Sequence, residues 1–196
     1  MAHTIRFTRR KLPHWEVKGG RYFVTVRCAD SLPRDAVLRI AELQATLARI
    51  EPRSPEFAAL QRQVFRAVEK HLDTGLGECP LRPAVAAGIV IAEFESLAAA
   101  DVAVPHYSIM PNHWHAILVP AADCRLTLTQ IMARIKGRTA RAINSSRGGA
   151  GSLWQREWFD HWIRDDAEWE RCVAYIRNNP VKAGLVREWN EHPWTK

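Results

Sequence analysis

The chain has 196 residues, a length typical of one domain with its own hydrophobic core. Its four cysteines are far apart and form no CxxC pair, which argues against a disulfide framework or a thiolate zinc site. No apolar run reaches the roughly 18 to 20 residues that a membrane-spanning helix needs, and the N-terminus is too polar for a secretory signal. We therefore expect a single soluble cytoplasmic domain over residues 1–196, without a membrane partner.

The net charge of +7 is unevenly distributed. Residues 1–30 carry seven Lys/Arg against two Asp/Glu, residues 31–124 carry eight against eleven, and residues 125–196 carry thirteen against eight. Two basic ends around an acidic middle suggest that the ends meet around a polyanion while the middle faces away. Nucleic acid is the first candidate, although a solvated basic surface gives the same pattern.

The first half of the chain alternates from strand to helix. Residues 21–28 (RYFVTVRC) are β-branched and aromatic, which is typical of a strand. Residues 33–72 change to helical spacing with an interruption at 52–55, so we expect a helical hairpin, inserted at about 31–80. A third helix is predicted over residues 84–98.

The second half is predicted to continue the alternation. Residues 102–110 and 113–119 indicate two strands joined by a tight Pro111-Asn112 turn. The remaining elements are a helix over 126–144, a short aromatic strand within 153–163, and a last helix from near Asp165 to just before Pro180. This order predicts an α+β fold, a ferredoxin-like antiparallel sheet with helices packed on one face.

The stretch MPNHWH places two histidines one residue apart at the start of a predicted strand. Because side chains alternate across a strand, His113 and His115 point to one face and Trp114 to the other. Two imidazoles on one face can bind one divalent metal ion and leave positions open for water, an oxygen ligand or a phosphate. A lone His-x-His pattern is more often two polar residues at the start of a hairpin, so the motif by itself is weak evidence.

Tyr175 and Asn179 lie four residues apart on the last predicted helix, so the phenol and the carboxamide share one helical face. A tyrosine beside a metal-polarised phosphate is a nucleophile, and the amide can complete the shell of the metal. Tyr22 and Tyr107 differ because they lie in apolar strands, where a core position explains them. A half-buried anchor of the helix is the alternative for Tyr175.

Four motifs occur in one order along the chain: MPNHWH, ARIKGRTARAIN, LWQREWFDHWIRD and YIRNNPVKAGLV. In this order and spacing they resemble the REP-associated tyrosine transposases, relatives of the single-strand insertion-sequence transposases in the HUH endonuclease superfamily. The early KGGRYFVTVR is also similar to the first strand of that family. The resemblance covers residues 18–28 and about 81–186, whereas residues 31–80 are less diagnostic.

The resemblance implies a site and a reaction. His113 and His115 become the ligands of a divalent metal, Mg²⁺ or Mn²⁺, and Asn179 takes the position of the third protein ligand. Tyr175 becomes the nucleophile that cleaves single-stranded DNA at or near a hairpin (REP-like) sequence. The implied products are a 5′-phosphotyrosine link and a free 3′-OH, and the reverse reaction gives strand transfer without ATP.

Several further residues are candidates for supporting roles. The base that activates the tyrosine is not identified by the sequence; His161 and His106 are candidates, although each is more typical of a structural position. Trp154, Trp158 and Trp162 can stack on unpaired bases, but alternating aromatic residues on a strand more often form core. Binding of DNA phosphates is predicted for a set of basic residues: Arg21, Arg134, Lys136, Arg138, Arg141, Arg164, Arg177 and Lys182, with Arg9, Arg10, Lys11 and Lys18 near the N-terminus.

Two other functions stay open on the sequence alone. One is a catalytically silent protein that binds hairpin DNA, for example as a repressor. The other is a metal-dependent nuclease that uses activated water, with Tyr175 in a structural role. The sequence also leaves open whether the protein is a monomer or a homodimer.

Overall fold

The computed structural model describes residues 4–9, 13–52 and 54–196. The strands are β1 (Thr4–Arg9), β2 (Pro13–Val17), β3 (Arg21–Arg27), β4 (Val102–Met110), β5 (His113–Pro120) and β6 (Phe159–Ile163). The helices are α1 (Arg34–Leu47), α2 (Pro55–Leu72), α3 (Ala84–Ser96), α4 (Leu128–Ser146) and α5 (Asp166–Lys182). No helix in the described part of the chain combines the length and the hydropathy needed to cross a membrane.

The main sheet has four strands in the order β4-β5-β3-β6, and each neighbouring pair is antiparallel. With α3 between β3 and β4 and α4 between β5 and β6, this is the ferredoxin-like arrangement. The predicted α+β class and sheet are therefore confirmed. Strands β1 and β2 form a separate two-stranded ribbon that the sequence did not predict.

Both faces of the sheet are covered by helices. Residues Tyr22 to Val26 of β3 are all buried, so neither face of this strand is left to water. On one face Val24 and Trp114 pack in a core that includes α3 and α4. On the other face Phe23 and Ile117 pack against α5. The structure thus differs from the expectation of helices on one face only.

Helices α1 and α2 form the predicted hairpin and share a small apolar core. Ser54 caps α2 by accepting a hydrogen bond from the Phe57 amide, and Pro55 begins the helix. Phe65 of α2 also reaches the sheet face that carries α5. The charge pattern suggested that the acidic middle of the chain faces away from the basic ends. The structure differs, because α2, which belongs to this middle segment, packs on the sheet face that carries α5.

Helix α5 continues through Pro180 to Lys182, whereas the sequence predicted its end before the proline. Proline removes one helical hydrogen bond, but only two helical residues follow it, so few further bonds are affected. Gly184, with φ +69°, then adopts the left-handed conformation that commonly follows a helix. Tyr175 and Asn179 therefore lie on a continuous helix.

Candidate active site

Strand β5 places both predicted histidines on the sheet face that carries α5. His113 and His115 are fully buried, and their ring centroids are 4.8 Å apart. The Nδ1 atom of His115 hydrogen-bonds Thr25 Oγ1 at 2.8 Å. The Nδ1 atom of His113 donates to Asn112 Oδ1 at 2.7 Å, and the orientation of that amide is fixed because its Nδ2 donates to the Leu76 carbonyl.

The second ring nitrogen of each histidine is available for a ligand. Nε2 of His113 and Nε2 of His115 are buried and have no hydrogen-bond partner among the residues that the structure describes. Burial lowers the pKa of His113 to about 3. Burial, with His113 and Lys182 nearby, also holds the pKa of His115 well below its usual value. Both imidazoles are neutral at neutral pH, the form that binds metal.

Helix α2 adds a carboxylate that the sequence analysis missed. Glu69 is 4 % exposed, and its Oε2 lies 3.6 Å from His115 Nε2. Ligand atoms of Glu69, His113 and His115 all lie within 4.8 Å of one another. Burial raises the pKa of Glu69 to about 7, although the hydrogen bond from Tyr175 acts to lower it. The sequence carries no clear signal for Glu69, because Arg66 and Asp73 lie three and four residues from it on the same side of the helix, as in an ordinary solvated face.

Helix α5 brings the predicted nucleophile to the same place. The Tyr175 hydroxyl donates a hydrogen bond to Glu69 Oε2, and the Tyr175 ring lies 5.3 Å from the His115 ring, centroid to centroid. Burial and the adjacent Glu69 raise the pKa of Tyr175 well above its usual value. The candidate base His161 instead bonds Glu168 at 2.7 Å, so Glu69 is the group that accepts from the phenol.

Asn179 lies one helical turn after Tyr175 and is 1 % exposed. It is close enough to His113 and Tyr175 to influence the pKa of both. Neither amide atom forms a hydrogen bond of normal geometry with a described residue. The predicted set of His113, His115, Tyr175 and Asn179 is thus brought together, with Glu69 as a further member.

These donors fit a divalent metal ion. Buried polar atoms are nearly always hydrogen-bonded, so a group of them without partners needs an explanation. The unpartnered atoms are two imidazole Nε2 atoms, Oε1 of Glu69 and both amide atoms of Asn179. Imidazole nitrogen with carboxylate and amide oxygen is a normal ligand set for divalent metals.

The predicted basic face of α4 lies on the other side of the sheet from this cluster, because α4 packs on the Trp114 face. Arg134 donates to Glu93 at 3.0 Å, and Arg138 pairs with the other oxygen of that carboxylate at 3.2 Å. The Lys136 ammonium donates to two backbone carbonyls in the segment before β6. Arg138, 59 % exposed, and Arg141 are the residues of this set that face solvent most openly.

Of the other predicted DNA-binding residues, Arg21, Arg164, Arg177 and Lys182 lie at or near α5, whereas Lys18 lies in the turn between β2 and β3. Three of them already have intramolecular partners: Arg21 pairs with Asp166, Lys182 with Asp73, and Arg177 lies over the Trp189 ring. Arg164 is exposed and borders a cavity. Arg10 and Lys11 fall outside the described residues, as does the side chain of Arg9. The burial of Trp154 and Trp158 agrees with the core position expected for the strand aromatics, while Trp162 is half-buried.

Arg27 is a cation on the site face that the sequence analysis did not single out. It is the cross-strand neighbour of His113 in the pairing of β3 with β5. Burial lowers the pKa of Arg27 to about 10, so the guanidinium stays charged at neutral pH. It donates to the Cys28 carbonyl and the Ser31 hydroxyl and forms no ion pair with any carboxylate that the structure describes. Arg27 therefore adds a positive charge to the strand next to the histidine pair, and its guanidinium is held towards the segment that follows β3.

Part of the chain that includes this site is similar in sequence to a known protein family. Residues 92–179 match the family model described as IS200-like transposase. That range contains the histidine pair, Tyr175 and Asn179, but it begins after Glu69. The resemblance inferred from the motifs is thereby confirmed.

Two curated relatives carry the REP-associated description. The chain is 29 % identical over 96 residues to a putative REP-associated tyrosine transposase of Haemophilus influenzae, covering 44 % of this chain and 54 % of that protein. It is 28 % identical over 88 residues to the REP-associated tyrosine transposase of Escherichia coli K12, covering 44 % and 49 %. The chain thus spans about half the length of the curated relatives it matches.

A solved structure shares the fold. It is a REP-associated tyrosine transposase bound to a REP hairpin, and it aligns with a TM-score of 0.53 at 19 % identity. The alignment covers 96 % of this chain and 80 % of that chain. At this level of identity the likeness shows a common architecture.

Proposed function

We propose that the protein is a transposase of the REP-associated tyrosine type that cleaves single-stranded DNA at or near a hairpin, using Tyr175 and a divalent metal. One observation carries the proposal: the phenol of Tyr175, two unpartnered imidazole nitrogens and a buried carboxylate converge at one point. Each buried polar group without a partner costs about 1 to 3 kcal/mol. A purely structural tyrosine would not require unpartnered imidazole nitrogens and a buried carboxylate beside its hydroxyl.

Nε2 of His113, Nε2 of His115, Glu69 and Asn179 are the residues that would hold the ion, with Mg²⁺ or Mn²⁺ as the expected metal. When bound, the ion would supply positive charge to the non-bridging oxygens of the scissile phosphate. The hydrogen bonds to Asn112 and Thr25 fix the ring orientations of the two histidines.

Tyr175 performs the covalent step. Its oxygen forms a bond to phosphorus while the bond from phosphorus to the 3′ oxygen breaks, and the electron pair leaves with that 3′ oxygen. The Tyr175 hydrogen is directed at Glu69, so the phenolic proton leaves towards this carboxylate. The 3′ oxygen takes a proton from solvent and becomes a free 3′-OH. One phosphodiester is exchanged for one phosphotyrosyl ester, and so attack by another 3′-OH reverses the step without ATP.

A hairpin with a single-stranded flank is the proposed substrate. The solved relative of the same fold is described as bound to a REP hairpin. This chain has a net charge of +7, and Arg27 is the cross-strand neighbour of His113 on strand β3. Strong positive charge favours phosphate backbones, and unpaired bases can be read on an aromatic surface.

The test is a gel assay for a covalent protein–DNA adduct with hairpin oligonucleotides in Mg²⁺ or Mn²⁺. The wild type should form the adduct, and Tyr175→Phe should lose it while keeping hairpin binding, because only one hydroxyl is removed. Tyr107→Phe is the matched control, since Tyr107 is a half-buried tyrosine on β4 outside the cluster and should behave as wild type.

Each competing function has its own outcome in this assay. Cleavage that persists in Tyr175→Phe contradicts the tyrosine mechanism and supports attack by activated water. Tight hairpin binding by the wild type with neither adduct nor cleavage supports a silent DNA-binding protein. The combination of His113→Ala with His115→Ala should also abolish the adduct, because the two remaining oxygen donors hold a divalent ion too weakly.

A further inference from the structure

A cavity of about 270 Å³ opens beside Tyr175, between α2, β6 and α5. Tyr175 lines it together with residues from all three elements. The volume is slightly below the range of about 300 to 1,000 Å³ that is usual for drug-sized ligands. The cavity is therefore suited to a small unit and not to a long segment of a partner.

The inner wall of the cavity is aromatic. Phe23, Phe65, Phe159 and Tyr175 all line it. The Phe65 and Phe159 rings are tilted, with centroids 4.5 Å apart, and Phe65 also lies 5.8 Å from the Tyr175 ring. Phe65, Phe159 and Tyr175 are half-buried, so part of each ring remains accessible. Such a surface can take the flat face of an unpaired base.

The rim of the cavity is cationic. Arg62 of α2, Arg164 after β6 and Arg171 of α5 are exposed and line the opening. None of the three forms an ion pair with a carboxylate in the described part of the chain, so their charges are available to a ligand. Guanidinium groups bind phosphate oxygens by paired hydrogen bonds. Gln61 and the pair of His161 with Glu168 add polar groups that can reach the edge of a base.

We propose that this cavity binds one unpaired nucleotide of the DNA strand, adjacent to the phosphate that Tyr175 attacks. The aromatic wall would stack on the base, and the arginine rim would bind the neighbouring phosphates. The inference rests on the proposed function, because the strand is taken to pass Tyr175. It also assigns a role to α2, whose Arg62 and Phe65 lie in the segment that the family match does not reach.

The experiment measures equilibrium binding of wild-type protein in chelator, which prevents cleavage. The probes are a hairpin with a single-stranded flank, the bare hairpin, and flanked hairpins in which each flank nucleotide in turn is replaced by an abasic residue. One abasic position should weaken binding by about 5- to 100-fold, the effect of losing one stacked base. If no position weakens binding by more than about 2-fold, the cavity does not bind a base.

Ala58→Phe tests whether the base enters this cavity, because Ala58 lines it and the added ring would fill the space. The abasic penalty should then disappear. Ala59→Phe is the matched control, since Ala59 is the next residue of α2, is exposed and does not line the cavity; it should keep the penalty. An unchanged penalty in Ala58→Phe overturns the proposal.

A variant of the rim keeps the proposal testable if Ala58→Phe does not fold. Arg62→Ala with Arg171→Ala should weaken binding of the flanked hairpin and leave the bare hairpin unaffected, whereas equal losses for both probes contradict a flank site. Arg66→Ala with Lys70→Ala, exposed on α2 and outside the cavity, removes the same charge as a control. Adduct formation with Tyr175 is a separate readout, so the cavity can fail while the proposed function stands. A wild type that binds neither hairpin overturns both.

Discussion

Glu69→Gln is the substitution that separates a metal-binding carboxylate from a structural one. Glu69 is 4 % exposed, and burial raises its pKa to about 7 from the ordinary value of 4.5. In the unfolded chain the carboxyl loses its proton near pH 4.5, but in the folded apoprotein it does so only near pH 7. The folded state therefore holds the extra proton between these values, and stability falls as the pH rises through this window. At pH 8 the ionised carboxylate costs the apoprotein about 3 kcal/mol.

Glutamine keeps the shape and can still accept the hydrogen bond from Tyr175, but it carries no charge. In chelator at pH 8, Glu69→Gln should therefore be more stable than wild type by up to about 3 kcal/mol. With Mn²⁺ the order should reverse, because opposite unit charges about 4 Å apart attract by about 4 kcal/mol at an effective dielectric constant of ~20. The variant loses that attraction, so its Mn²⁺ affinity should fall by at least about 10- to 100-fold.

Urea denaturation at pH 8, with chelator and with Mn²⁺, measures both effects. For a slope of about 3 kcal/mol per molar, a change of 3 kcal/mol moves the midpoint by about 1 M. Glu56→Gln, an exposed glutamate in the first turn of α2, is the matched control and should move neither midpoint. A Glu69→Gln variant that is less stable than wild type in chelator contradicts the raised pKa of Glu69. A variant that gains as much stability from Mn²⁺ as wild type shows that Glu69 is not a metal ligand.

Two further predictions concern DNA binding and pH. Arg138→Ala with Arg141→Ala should flatten the dependence of hairpin affinity on salt by up to about 0.7 per lost phosphate contact, measured by salt titration; an unchanged slope places the strand away from α4. His113→Asn should reduce the loss of folding stability that the apoprotein shows as the pH falls. In the unfolded chain the imidazole takes a proton near pH 6.5, whereas burial holds the pKa of His113 in the folded protein at about 3. Between pH 7.5 and 5 this histidine costs the wild type about 2 kcal/mol, and parallel stability curves for the two proteins in chelator would refute the assignment.

The part of the site that the sequence predicted depends on local periodicity. His113 and His115 share a face because strand side chains alternate, and Tyr175 and Asn179 share one because a helix turns once in about four residues. The hairpin of β4 and β5 follows from its turn residues in the same way. These relations hold within a few residues of the chain, and so no knowledge of the tertiary packing is needed to state them.

Contacts between distant segments decide the rest. Glu69 and Tyr175 are 106 residues apart in the sequence, and nothing in the pattern around either residue indicates that they meet. The same limit applies to the basic face of α4, where Glu93 of α3 pairs with Arg134 and Arg138. A helical projection shows these arginines as free charges, but the fold gives them a partner, because α3 packs beside α4 on the same sheet face.

The helical hairpin of α1 and α2 also determines how a strand can approach the site. His113 and His115 are fully buried, whereas Tyr175 lines the cavity described above and Glu69 lines a second cavity. Phe65 of α2 and Phe159 of β6 line both cavities. The position of α2 on the sheet therefore sets the width of both openings. A change in the packing of this hairpin would alter access to Tyr175 without altering any of the predicted catalytic residues. Residues of α1 and α2, which precede the segment 92–179 that matches the family model, can therefore affect the reaction at Tyr175.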